Sequence, residues 1–235
     1  MSKLKQKTIA ILGMHRSGTS MLTGSLEEAG LYLGEVNQRA KNNKKGNKES
    51  LYLMDFLESI LVKNGGAWHN PLVDIKWSAD DREELKKYIQ SFSDKEVWGF
   101  KDPRTIFFLD EWKAHIPHLK MVGIYRHPMS VALSLQKRNN FKIQRGLNLW
   151  KIYNRRLLAL HKAYKFPIIE FTEKPLKLEN SIKAVVDILG LEQKDSFNFF
   201  LKKLIHNPAT DIDLPHDVTQ IYKRLKLASL KPALS

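Results

Sequence analysis

The chain has no cysteine. That excludes disulfide cross-links, thiolate nucleophiles and Cys-ligated zinc together, and it suits a reducing compartment. Also missing is any run near the ~20 consecutive apolar residues that span a bilayer. The opening residues Met1-Ser2-Lys3-Leu4-Lys5-Gln6-Lys7 lack the apolar core of a secretory signal, so the expected location is the cytoplasm. No histidine and carboxylate grouping has metal-ligand spacing, and no metal is expected. Internal repeats and low-complexity segments are absent.

Acidic residues are scarce: 25 Asp and Glu face 39 Lys and Arg, for a formal net charge of +14. Such a field draws anions, and nucleic acid, acidic membrane and small phosphorylated ligands all satisfy it, as does plain solubility. Lys41, Lys44, Lys45 and Lys48 carry no interleaved aromatics and the remaining positive charge is scattered, so no nucleic-acid partner is expected.

What is present is enough apolar material, 43% of 235 residues, for one substantial core, and residues 1–235 read as a single domain. Thr8-Ile9-Ala10-Ile11-Leu12 is a buried strand that delivers a turn at Gly13, and a helix follows from Thr19 to Ala29 with Gly30 as its stop. Residues 35–50 read as a mobile basic loop. The next helix, from Leu51 to Gly65-Gly66, has apolar residues on two faces and is expected to be buried on both. Ser78 caps a charged helix over 79–92. Further strands are Val97-Trp98-Gly99-Phe100, Met121-Val122-Gly123-Ile124-Tyr125 and Ile168-Ile169-Glu170-Phe171. Helices follow over 128–138, 147–164 and 178–189, and residues 210–235 read as a loosely packed helical tail. The alternation predicts an α/β fold: a P-loop-like three-layer arrangement with a central, mostly parallel sheet, helices on both faces and ligands at the carboxyl ends of the strands.

Two segments carry the chemistry. Gly13-Met14-His15-Arg16-Ser17-Gly18-Thr19-Ser20 joins the first strand to the first helix like a P-loop whose usual Gly-Lys-Ser/Thr ending is Gly-Thr-Ser. Its glycines let successive N–H groups, the helix dipole and the Ser17, Thr19 and Ser20 hydroxyls converge on one anion. The lysine that bridges phosphates in nucleoside triphosphatases is missing, and Arg16 supplies a cation instead. The second segment is Gly123-Ile124-Tyr125-Arg126-His127-Pro128, a strand end leading into a helix that carries Ser130 and Ser134.

In order and spacing, the two segments resemble those of the superfamily of sulfotransferases that use 3′-phosphoadenosine-5′-phosphosulfate (PAPS). The likeness is to its bacterial branch and to the Golgi-type enzymes whose loop reads Arg-Ser-Gly-Thr, and it runs from the first strand through Gly190. It implies transfer of a sulfuryl group from PAPS to a hydroxyl or amine of a small-molecule or glycan acceptor. On this reading the 5′-phosphosulfate lies on His15, Arg16, Ser17, Gly18, Thr19 and Ser20, with Arg16 beside the bridging oxygen. Arg126 and Ser134 then hold the 3′-phosphate. Met21 stands where many cytosolic relatives carry an adenine-stacking tryptophan, and Tyr222-Lys223-Arg224 is only a weak substitute for their C-terminal Arg-Lys-Gly.

Two carboxylates compete as general base. Asp102, in Lys101-Asp102-Pro103-Arg104, lies where cytosolic relatives carry a catalytic histidine; a plain ion pair with Lys101, Arg104 or Arg16 explains it as well. Glu49, ahead of the second helix, fits the glutamate of Golgi-type relatives or a charge complementing the helix dipole. His15 and His127 flank the two arginines and both read as solvent-facing. Other readings are a P-loop nucleotide or nucleoside kinase, which needs a lysine where Thr19 stands, and a basic nucleic-acid-binding module. Acceptor choice falls to residues 35–50 and 64–78, where Trp68 and Trp77 read as stacking platforms or as core. Oligomeric state has no signature.

Overall fold

Apolar runs without alternation need cover on both faces, and the chain provides it by crossing over between parallel strands. In the computed structural model, which describes residues 6–38, 46–72, 74–198 and 213–231, four strands form one parallel sheet: β1 (Lys7–Leu12), β2 (Val97–Lys101), β3 (Lys120–Arg126) and β4 (Ile168–Phe171). Their order is β2-β1-β3-β4. Register pairs Ile11 with Lys101, Leu12 with Gly123 and Arg126 with Phe171, so the carboxyl ends share one rim. Because β1 lies between β2 and β3, the chain leaves it in one direction and returns on the other side, which opens a crevice at its carboxyl end.

Alternate residues feed two cores. Ile9, Ile11, Val122, Ile124 and Ile169 pack beneath α1 (Thr19–Glu28) and α7 (Pro175–Leu189). Ala10, Leu12, Trp98, Phe100 and Tyr125 pack on the opposite face. There they meet α2 (Leu51–Lys63), α3 (Ala79–Gln90), α4 (Thr105–His115), α5 (Pro128–Asn139), α6 (Ile143–Tyr164) and α8 (His216–Ala228). The three layers expected of the α/β pattern are thus present. Ser78 opens α3 with a capping box, taking the Asp81 N–H while the Asp81 carboxylate takes its own. No described helix is long and apolar enough to cross a membrane.

Several expectations need correction. α2 buries one face only, Leu53, Leu57, Ile60 and Leu61, while Leu51 is 54% exposed, because α2 lies in an outer layer with solvent on its far side. α6 begins at Ile143, four residues before its first apolar cluster. Of the basic loop, residues 39–45 lie outside the described residues, and its ends are packed. The Asn37 N–H donates to the Glu49 carbonyl at 2.9 Å, the Lys48 N–H donates to the Asn37 carbonyl at 3.2 Å, and buried Lys48 pairs with Glu27 at 2.7 Å. The tail is docked, with Val218, Ile221 and Leu225 buried. Ser229 Oγ lies 2.8 Å from the Tyr125 hydroxyl, and the Leu230 N–H donates to the Ile168 carbonyl at 2.8 Å. Residues 210–212 and 232–235 lie outside the described residues.

Candidate active site

The turn after β1 is built around close approaches. A Cβ on Gly13 would fall 2.5 Å from the Ile124 carbonyl oxygen, and Gly18 adopts φ 91° with Phe171 2.3 Å from where a Cβ would stand. Arg16 itself sits in the left-handed region at φ 68°, which costs a non-glycine residue ~1–3 kcal/mol. It is held there by a hydrogen bond from its Nε to Ser134 Oγ at 2.8 Å. The Ser17 N–H closes the turn on the Met14 carbonyl at 3.2 Å.

α1 starts at Gly18 without a side-chain cap, so its first-turn N–H groups face the turn. Beside them the Ser17 hydroxyl is fully buried and has no hydrogen-bond partner among the described residues. Thr19 is buried and Ser20 half-buried in the same turn. An orphaned hydroxyl next to an uncapped helix start, with a guanidinium alongside, has the donor set of an oxyanion site.

The second segment meets the first. Arg126 ends β3 with its guanidinium 5.0 Å over the Phe171 ring, the ring that also crowds Gly18. Burial, and then the Arg16 charge, push Arg126 down to about 10. Ser134, two turns into α5, accepts from Arg16 Nε and keeps its own O–H to donate elsewhere. One turn further, Arg138 is lowered by burial and by Arg16, with Glu49 opposing. Neither Arg16 nor Arg138 pairs with a carboxylate among the described residues. Arg16 thus repels both Arg126 and Arg138, with Glu173 and Glu49 opposing, and an anion placed among them relieves that repulsion.

The candidate bases lie in a neighbouring buried network. Lys101 Nζ donates to Glu49 Oε1 at 2.5 Å, the lysine side chain fully buried and the glutamate side chain 11% exposed. Asp102 takes the Arg104 N–H at 2.8 Å and both its oxygens contact Arg104 Nη1, while Arg104 Nε pairs with Glu58 at 3.0 Å. Burial pushes the Asp102 carboxyl up, with Glu49 adding and Arg104 opposing.

His15 corrects an expectation: it is half-buried and packed on aromatic rings. Its ring lies 4.7 Å from Trp68 and 5.9 Å from Tyr153, and its Nε2 is enclosed without a hydrogen-bond partner among the described residues. Burial, then the charges of Arg104, Arg138, Lys101 and Arg16, hold it well below its ordinary value. His127 also packs, edge-on to Tyr222 at 5.1 Å. Trp68 stands at the site, its backbone pinned by the Tyr153 hydroxyl at 2.8 Å and by Glu58. Trp77 does not; it packs on Phe108 and lines a groove of about 620 Å³ together with Phe107 and Arg156. Sequence reasoning missed Arg138, although its i+4 spacing from Ser134 places both on one helical face.

The central parallel sheet, with its glycine-bearing turn between β1 and α1 and helices on both faces, is a P-loop-like fold of the sulfotransferase type. In structure the chain is similar to the sulfotransferase domain of the Synechococcus PCC 7002 olefin synthase, with a TM-score of 0.59 and 18% identity over 95% of this chain and 97% of that one. It is likewise similar to the sulfotransferase domain from the curacin biosynthetic pathway, with a TM-score of 0.58 and 14% identity over 94% of this chain and 98% of that one. At such identities the likeness is one of fold. No family model matches the chain, and no curated protein matches it in sequence.

Proposed function

We propose that the protein is a PAPS-dependent sulfotransferase acting on a hydroxyl or amine of a small-molecule or glycan acceptor. One observation supports this reading: the bond from Arg16 to Ser134 ties the turn after β1 to the helix that follows Arg126, so the two proposed oxyanion pockets would share one rim. A nucleotide with charged groups at both its 5′ and 3′ ends requires such a pair. Arg16, Ser17, Gly18, Thr19 and Ser20 would hold the 5′ group, with His15 behind them as packing. Arg126 and Ser134 would hold the 3′-phosphate. When bound, PAPS supplies a sulfuryl group activated by its bisphosphate leaving group.

The chain's own residues then have three tasks. Arg16 presents preorganised N–H donors to the negative charge that develops on the departing oxygen, worth ~3–4 kcal/mol of barrier. Glu49 accepts the acceptor's proton: one oxygen rests on Lys101, and the side chain retains solvent access. Asp102 is the weaker candidate, because both its oxygens are committed to Arg104 and its side chain is only 1% exposed. Its part is to position Arg104. The test is incubation with PAPS labelled at sulfur and a pool of hydroxyl-bearing acceptors. Label should move to acceptor in wild type and not in Arg16→Ala; equal transfer by both would remove the assignment.

A further inference from the structure

Arg138 of α5, Phe141 in the turn after it, Arg145 of α6 and Trp68 with His69 from the segment after α2 form a set of groups to which the proposed donor site assigns no role. Arg138 lies 5.2 Å over the Trp68 ring, and Arg145 lies 4.1 Å over the Phe141 ring. Trp68 and Phe141 stack on each other at 6.0 Å and 19°. Arg145 Nη2 is 3.3 Å from His69 Nδ1, and because arginine only donates, His69 is the acceptor there. This wall adjoins the sulfuryl site: Trp68 touches His15, the residue before Arg16, and Arg138 feels both Arg16 and Glu49.

Its charge is one-sided. Neither Arg138 nor Arg145 pairs with a carboxylate among the described residues, and from Trp112 to Ile169 the sequence contains no Asp or Glu, although Lys137, Lys142 and other basic residues fall there. Stacking occupies the π face of a guanidinium; on Arg145 one Nη2 hydrogen goes to His69, and the N–H groups that remain can donate to an oxyanion. Phe141 and Trp68 are half-buried and Arg145 is exposed, so part of each ring and the cation stay accessible to solvent.

We infer that the acceptor is an anionic, ring-bearing molecule, its ring against Trp68 and Phe141 and its oxyanion on Arg145, with the reacting hydroxyl toward Glu49. This rests on the sulfotransferase reading above and adds the class of acceptor to it. A neutral sugar would meet the aromatic faces and leave the arginine edge unused.

The test is calorimetric titration of the wild type, saturated with adenosine 3′,5′-bisphosphate, with 4-nitrophenyl β-D-glucoside, its 6-sulfate and 4-nitrophenyl β-D-glucuronide. At least one anionic probe should bind roughly tenfold or more tighter than the glucoside, the worth of one charge-assisted contact. The sulfate and glucuronide arms tell which oxyanion is preferred. Arg145→Ala should reduce that probe to the glucoside's level. Equal binding of all three, no detectable binding of any, or a preference that survives Arg145→Ala overturns the inference. The bisphosphate titration run beforehand separates the two failures: if the bisphosphate binds and the anion preference is absent, only the acceptor class falls, whereas no bisphosphate binding removes the donor site itself.

Discussion

Replacing Arg126 by alanine should separate the two pockets. The residue is 8% exposed, its guanidinium lies on Phe171, and burial together with Arg16 has already weakened its hold on its proton. A buried guanidinium donates through a low local dielectric, so the upper part of the ~1.5–3 kcal/mol range for charge-assisted hydrogen bonds applies. Taking ~2–3 kcal/mol, adenosine 3′,5′-bisphosphate should bind roughly 30–150-fold more weakly to Arg126→Ala. Adenosine 5′-monophosphate has no 3′-phosphate to lose, and its affinity should change by less than about threefold, under ~0.7 kcal/mol. Isothermal titration of both ligands against both proteins measures the difference. Equal losses for the two nucleotides would show that Arg126 supports the fold of the site generally, and no loss for either would remove it from the site; both outcomes refute the reasoning.

His15 should leave a mark on the pH dependence of stability. Its folded pKa is depressed, so as pH falls below ~6.5 the unfolded chain takes up a proton that the folded chain refuses, and stability falls with a slope of at most ~1.4 kcal/mol per pH unit. Denaturant midpoints between pH 5 and 7 should lose that component in His15→Gln; an unchanged slope contradicts the packing argument. The two carboxylates should part as well. Glu49→Gln keeps an oxygen for Lys101 but should lower sulfuryl transfer by ~10²–10⁴, the usual contribution of a general base. Asp102→Asn should cost about 1–3 kcal/mol in denaturant stability through its weakened hold on Arg104, and less than about tenfold in transfer per folded molecule. The reverse ranking would exchange their roles.

The strands were legible because buried parallel strands are written as unbroken apolar runs between turn residues, and Gly13 and Gly18 mark the anion turn because the backbone there tolerates nothing larger. What sequence could not show is pairing at a distance. Lys48 looks like one lysine of a solvated loop, and only the fold brings Glu27 to it. His15 reads as a loop histidine until Trp68 and Tyr153, far along the chain, close over it. The α8 pattern of Val218, Ile221 and Leu225 is amphipathic on its face, but nothing local says that β4 and α6 await it. Arg138 is the exception, since helical periodicity alone aligns it with Ser134.

Whether Arg16 and Arg126 serve one molecule is best measured by titrating the wild type with adenosine 3′,5′-bisphosphate and with its two halves, the 5′- and the 3′-monophosphate. The bisphosphate should bind at least about thirtyfold more tightly than either half, since each half forfeits a charge-assisted contact of ~2 kcal/mol or more. If either monophosphate binds as well as the bisphosphate, the two pockets do not hold the ends of one nucleotide.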